Sequence, residues 1–341
     1  MYKPFITDTL LVSAPNKGGL ALLSNGTVTV LDRSDNTGLW ITDTTIYRNT
    51  ISETANSKLM QLESITGHEK VILARDSQYD FHDVLHHKDR LYLVSTGTNE
   101  VIVLDSEGKR VNSYTFPGGN DSWHINCLGI WDNRIVLSAF GEFEEFRGYK
   151  KNTKKQGFVL DIETNEKLWE GLSQPHTPVQ NGDNYYICNS EEMQVLTLNR
   201  HSFEINSIQL DGYTRGIAFS QRYMYVGLSQ SRNNSNAGSS EFARILALDL
   251  NTYEICEEMH LPFSEIYDIR LLYNPSILPS IAKLVNLDSL LENSINYIGL
   301  ENNLNRMRAQ FQRVNNHFIV GKILRFFRWL KNDCSFGNPE S

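Results

Sequence analysis

Three histidines stand where they could share chemistry. Divided into its repeating groups of strands, the chain opens successive groups with Leu39, His82, His124, His176, Arg215 and Tyr267. Three consecutive groups thus supply an imidazole, the next a guanidinium and the last a phenol. Nine histidines scattered over 341 residues would seldom fill three consecutive equivalent places. Three neutral imidazoles suit zinc, iron or manganese and leave coordination positions open for water and substrate. Asp83, Asn126, Glu265 and Asp268 lie close enough in sequence to join such a set.

The same residues also make a metal-free pocket for an anionic or polyhydroxylated ligand. Arg215 would clamp a carboxylate or phosphate. His82, His124 and His176 would donate hydrogen bonds or act as acid and base, and Tyr267 would protonate or stabilise a leaving oxygen. Trp123 and Tyr213 offer flat faces to a sugar. A third reading gives the histidines no ligand and makes them organisers of channel water at strand ends. The sequence alone leaves all three open. It contains no GxSxG, GxGxxG or P-loop pattern, so a motif-bearing hydrolase or nucleotide site is unsupported.

The elements that must position these residues are short strands. Residues 81–116 divide into DVLHH, RLYLVST, EVIVLD and RVNSYTF, separated by turn-forming residues. The same grammar recurs from Trp123, from Pro175 and from Thr214, at intervals of roughly 40 to 50 residues, the mark of propeller blades. EIYDIRLL at residues 265–272 looks like the first strand of a blade whose other strands are missing. DTLLVSA, GLALLS and TVTVLD near the start look like a blade lacking its first strand. Joined, they close a six-bladed all-β ring and remove exposed sheet edges. Asp32, Asp105, Asp161 and Asp249 follow apolar strands and are expected to accept turn hydrogen bonds. Two long connections, residues 141–156 and 229–242, would overhang the histidine mouth, where rigid scaffolds usually carry binding.

Composition narrows the function classes. With 32 basic and 40 acidic residues the net charge is -8, which argues against a nucleic-acid tracker and its basic stripe. The four cysteines show no metal-type spacing and suit a reducing compartment. No run reaches about 18 apolar residues, and the first residues do not read as a signal peptide, so a cytoplasmic protein is expected. Residues 1–275 form the propeller in this reading. Residues 276–341 form a C-terminal α-helical extension with apolar residues at helical spacing. Its last piece mixes Phe327 and Trp329 with Arg325, Arg328 and Lys331, which suits a membrane surface or a homo-oligomer contact.

The strings FHDVLHHKDRLYLVSTGTNEV, DSWHINCLGIWDNRIVLSAFGEF, GLSQPHTP, YICNS, GYTRGIAF and SEIYDIRLL carry a resemblance. Over residues 79–272 the chain resembles a bacterial family of β-propellers that bears a domain-of-unknown-function label. The family's WH-x-N-C, PH-S/T-P, CNS, TRG and E-x-YD elements fall on Trp123, His124, Asn126 and Cys127, then on Pro175, His176 and Pro178. They continue through Cys188, Asn189, Ser190, Thr214, Arg215, Gly216, Glu265, Tyr267 and Asp268. The resemblance implies the propeller fold, adds weight to the same mouth and brings Asn189 into the candidate ligand-binding set. It also implies company with surface-polysaccharide and sugar-modifying proteins. The expectation is a propeller binding a small polar or anionic, sugar-like ligand, with metal assistance as an option. The alternative is a non-catalytic scaffold for a partner protein or glycan.

Overall fold

A computed structural model describes residues 8–51, 56–63, 66–230 and 242–273. The chain divides into two compact units, Met1–Leu284 and Val285–Ser341, and every described residue belongs to the first. The expected helical extension, with Phe327 and Trp329, and most of the 229–242 connection lie outside the described residues.

The described residues form six four-stranded antiparallel sheets. Blade 1 runs from the axis outward as Asp268–Leu271, Thr9–Ala14, Gly19–Ser24 and Thr27–Asp32. The inner strands of blades 2 to 6 are Asp35–Ile41, Phe81–His87, Ile125–Trp131, Pro175–Asn181 and Tyr213–Phe219. Each inner strand packs against those of the two adjacent blades, and the ring is complete. As the sequence suggested, blade 1 is assembled from both ends of the propeller: Leu10 faces Leu271, Val12 faces Ile269 and Ser13 faces Asp268. Tyr267 N–H donates to the Ser13 carbonyl at 2.8 Å and Leu272 N–H to that of Thr9 at 2.9 Å, extending the seam.

The apolar core lies between blades. One cluster joins blades 6 and 1 through Tyr225, Ile245, Leu10, Val12 and Ile269. Another joins blades 3 and 4 through Val94, Val101, Trp123, Leu137 and Phe158. Strands alternating apolar residues every second position place one row against each neighbouring blade. The aspartates expected to cap turns do so: Asp105 Oδ1 accepts from Glu107 N–H at 3.0 Å, and Asp249 Oδ1 from Asn251 N–H at 2.9 Å.

The inner strands of blades 2 to 6 share a bulge. In blade 3, Phe81 pairs with Ser95 but Val84 with Leu93, so one extra residue sits on the inner strand. The same surplus occurs before Leu39, Leu128, Val179 and Ile217. A bulge frees backbone groups from the ladder, and buried groups need partners. The adjacent blade provides them. Thr37 Oγ1 donates to the Phe81 carbonyl at 2.7 Å, Thr96 Oγ1 to that of Ile125 at 2.5 Å, and Ser190 Oγ to that of Thr214 at 2.6 Å. Asp83 accepts from Leu128 N–H at 2.7 Å and from its own neighbour Val84 at 2.8 Å. Gly38 is required at this level, because a Cβ there would stand 2.3 Å from Asp83 Cα.

Closure generates a prediction. A chain ending at Pro262 loses the innermost strand of blade 1 and with it the wholly buried Ile266 and Ile269, each worth about 1.5–3 kcal/mol of burial. Its melting temperature should fall by roughly 10 °C or more. Calorimetry showing one cooperative transition at the temperature of the intact chain would overturn the closure account.

Candidate functional site

Seven side chains form an unbroken collar around the channel mouth. The His82 ring meets His124 edge-on at 5.2 Å between centroids. His124 meets Phe140 at 4.4 Å, and Phe140 meets His176 at 5.3 Å. His176 meets Tyr213 at 5.7 Å. The Arg215 guanidinium lies 5.9 Å from the Tyr213 ring and 4.9 Å from that of Tyr267. Tyr267 closes the circuit on His82 at 5.8 Å.

The bulges correct the expectation of strictly equivalent positions. Counted on the ladder, Phe81, Ile125 and His176 occupy the corresponding rung, opposite Ser95, Ala139 and Cys188. His82 therefore follows the rung, His124 precedes it and His176 sits on it. They still converge because the backbone turns near each of them: Asp80, His124 and Thr177 have φ of 47°, 48° and 52°, a left-handed conformation that aspartate and histidine adopt more readily than most residues and that is strained for β-branched Thr177.

Each imidazole is anchored through Nδ1. His82 Nδ1 lies 3.1 Å from the Asp80 carbonyl oxygen and 3.4 Å from its carboxylate. His124 Nδ1 lies 2.8 Å from Asp121 Oδ1. His176 Nδ1 lies 3.0 Å from the Gln174 carbonyl and 2.8 Å from Ser190 Oγ. Carbonyls and carboxylates only accept, so all three rings carry hydrogen on Nδ1 and present Nε2. Asp121 also takes Arg147 Nε at 2.6 Å and the Tyr149 hydroxyl at 3.3 Å, and the Tyr149 ring rests on His124 at 4.4 Å. The long blade 4 connection thus reaches over this mouth.

Charge divides the three rings. Burial works against a charged His82, but the Asp80 carboxylate outweighs it and raises the imidazole above its ordinary value. In return, and against its own burial, Asp80 is pulled down to about 2. Burial lowers His124 despite its bond to Asp121. Burial and then the Arg215 charge hold His176 well below the ordinary imidazole range. His176 is 1% exposed, and its Nε2 has no partner; neither has the buried Nε of Arg215. Arg215 Nη1 lies 3.5 Å from Glu265 Oε2, and the other carboxylate oxygen, Oε1, accepts from Asn16 Nδ2 at 2.8 Å.

Other expected residues have structural places. Trp123 is buried in the core between blades 3 and 4 and offers no face to the mouth. Asn126 accepts from Ser138 Oγ at 2.6 Å and is fully buried. The Tyr267 hydroxyl donates to the Asn126 carbonyl at 3.0 Å, and burial pushes its pKa well above the ordinary phenol value. Its ring forms the wall while its proton stays committed. Asn189 accepts from Ser173 N–H at 2.6 Å and lines a rim pocket with Lys154, Lys155 and Glu192. Asp268 lies below the collar, paired with Arg270 at 2.7 Å.

Zinc, iron or manganese does not fit this arrangement. Carboxylates support two of the imidazoles as they do in metal centres, but Phe140 stands between His124 and His176. Among the described residues, no group of three or more His, Cys, Asp or Glu side chains is placed to hold a metal ion. At the opposite mouth a cavity of about 350 Å³ is lined by Trp40, Val179, Ile217, Phe219, Arg270 and Tyr273 among others.

Phe140, Tyr149, Asp80, Asp121, Gln174 and Ser190 were not expected at the site. A signal existed for three of them: an acceptor lies two or three residues before each histidine, in DFH, DSWH and QPH.

The family described as "domain of unknown function (DUF4915)" matches residues 9–278. The chain belongs to that family. No curated protein matches it in sequence. The DUF4915 propeller is similar in fold to a chain of the nidogen/laminin complex, with a TM-score of 0.58 and 13% identity over 78% of this chain and 99% of that one. It is similar to regucalcin, a calcium-binding protein from Agrobacterium tumefaciens, with a TM-score of 0.51 and 10% identity over 71% and 79%. It is also similar to a putative 6-phosphogluconolactonase from Bacteroides fragilis, with a TM-score of 0.50 and 12% identity over 78% and 98%. Identities this low speak for the fold alone.

Below the collar of the DUF4915 propeller, Asp83 and Asp268 are both buried. Burial and the Asp268 charge raise Asp83 to about 8, and burial raises Asp268 as well, against the pull of Arg270. Both shifts favour keeping a proton within the pair. A carboxyl raised in the folded state contributes stability that is complete below its ordinary pKa near 3.8 and is lost as pH climbs toward 8. Asp83→Asn should therefore flatten the decline in melting temperature between pH 5 and pH 8. Parallel curves for the two proteins would refute the shared proton.

Proposed function

We propose that this propeller binds a small anionic ligand of sugar-like character at the histidine collar. One observation carries the reading: the Arg215 side chain, 12% exposed in the collar wall, holds a buried Nε–H without a hydrogen-bond partner, across the Tyr267 ring from His82, whose protonation is favoured. A buried donor left without a partner costs about 1–3 kcal/mol, and an anionic oxygen at the mouth removes that cost. Glu265 offsets part of the Arg215 charge, and the His82 imidazolium supplies further attraction. The aromatic walls, Tyr213 and Tyr267, suit a ligand with a flat or hydroxylated face.

If the site also catalyses, the division of charge assigns the roles. His82 is the acid, being the ring favoured in its protonated form. His124 and His176 are the bases, being the rings whose neutral form is favoured and whose Nε2 is the acceptor. Tyr267 shapes the wall.

The test is titration of the full chain with D-gluconate, inorganic phosphate and sulfate. At least one should bind, and Arg215→Gln should weaken it by about 10- to 100-fold, the cost of one charge-assisted hydrogen bond, with melting little changed. A wild-type protein that binds none of the three would overturn the reading.

A further inference from the structure

We infer that the collar selects a hydroxy acid, a ligand that gives an anionic oxygen to Arg215 and, from the same molecule, a hydroxyl hydrogen to His176. This rests on the anion-binding reading above and adds the class of ligand.

The Gln174 carbonyl, 3.0 Å from His176 Nδ1, can only accept. Ser190 Oγ, 2.8 Å from the same nitrogen, has given its own hydrogen to the Thr214 carbonyl at 2.6 Å and also accepts. The Nδ1 position therefore carries hydrogen, and Nε2 is a bare lone pair. That lone pair is buried and unpartnered. The Nε–H of Arg215 is its complement: a buried, unpartnered donor. Both residues lie against the ring of Tyr213, 5.7 and 5.9 Å from its centroid, and the Arg215 charge is felt at His176, so one molecule is inferred to span the two.

The two open groups make opposite demands. A fully ionised anion satisfies Arg215 but sets an oxygen lone pair against the lone pair of His176. A neutral polyol can donate to His176 yet brings no counter-charge to Arg215. A plain carboxylate on an alkyl chain leaves His176 Nε2 buried and unpaired. Sites built around a hydroxyl reject ligands that lack it because their own polar groups are then stranded. His124 repeats the pattern, its Nδ1 held by Asp121 at 2.8 Å and its Nε2 left as an acceptor.

Isothermal titration of the full chain at pH 7 with D-gluconate, hexanoate, sorbitol and sulfate separates these cases. Gluconate carries both a carboxylate and hydroxyls, hexanoate only the carboxylate, sorbitol only hydroxyls, and sulfate no donor at all. Gluconate should bind at least about tenfold more tightly than each of the others, a difference of one hydrogen bond. His176→Phe, which keeps an aromatic wall, should erase the advantage over hexanoate while leaving hexanoate and sulfate unaffected. If that variant does not fold, the four wild-type affinities decide alone. Hexanoate or sulfate equal to gluconate overturns the hydroxy-acid inference and leaves an anion site standing. Sorbitol equal to gluconate also overturns it. No binding by any of the four overturns the inference and weighs against the anion reading beneath it.

Discussion

The molecule depends on how the backbone groups freed at the inner-strand bulges are satisfied from the neighbouring blade. Five inner strands carry one residue too many for their ladder, and each surplus exposes amides and carbonyls in a place water reaches poorly. Leaving one unpaired costs about 1–3 kcal/mol. The hydroxyls of Thr37, Thr96 and Ser190 and the carboxylate of Asp83 cross to the next blade to meet them. Interblade contact is therefore directional as well as apolar, and a blade cannot slide along its neighbour without breaking these bonds. Ser190 links that scaffold to the site. The hydroxyl that serves the Thr214 carbonyl also accepts from His176, so a bond of the fold fixes a tautomer of the collar.

The collar concentrates charge at little desolvation cost because each charge has a compensating group. Asp80 stands by His82, Glu265 by Arg215, and Arg147 by Asp121. Where compensation is insufficient, the ring stays neutral: His176 has a carbonyl and a hydroxyl as partners and the Arg215 cation nearby. Burying a charge without a partner costs more than shifting its pKa, which is why adjacent imidazoles of the same type are shifted in opposite directions.

The blade count and the ring closure were legible in the sequence because both rest on period. A four-strand unit repeats, and EIYDIRLL has no strands of its own to pair with. The convergence of His82, His124 and His176 was legible for the same reason, but their register was not. A bulge adds one residue without changing the look of the strand, so counting from the first residue of each blade shifts neighbours by one. That shift sends Trp123 into the core between blades, although it precedes His124 in the chain, and turns Asn126 toward Ser138. The metal reading failed at Phe140, which directly follows the second strand of blade 4, Arg134–Ala139, and which no count along the inner strands would place between two histidines. The Nδ1 acceptors were half visible, since DFH, DSWH and QPH put an acceptor just before each ring. What sequence could not show was that Gln174 serves through its backbone carbonyl whereas Asp121 serves through its carboxylate.

The two mouths of the channel differ in chemistry, and the buried acids between them explain how one ring can carry both. Above Asp83 and Asp268 stand imidazoles and Arg215. Below them, Arg270 lies over the Trp40 ring at 4.8 Å, gives Nε to the Leu39 carbonyl at 2.8 Å and lines the second cavity. A cation on each side needs negative charge between them, but two carboxylates at full ionisation would repel in a medium that screens poorly. One retained proton resolves the conflict, leaving a single negative charge beside Arg270. Asp83 and Asp268 are thus better understood as the electrostatic floor of the collar than as members of it. Their burial keeps both carboxylates, Asp268 proposed from the sequence for ligand binding and Asp83 only as a neighbour of a metal set, away from solvent. Asp83 has already spent its oxygens on the amides of Leu128 and Val84, and Asp268 on the Ile269 amide and the Arg270 guanidinium.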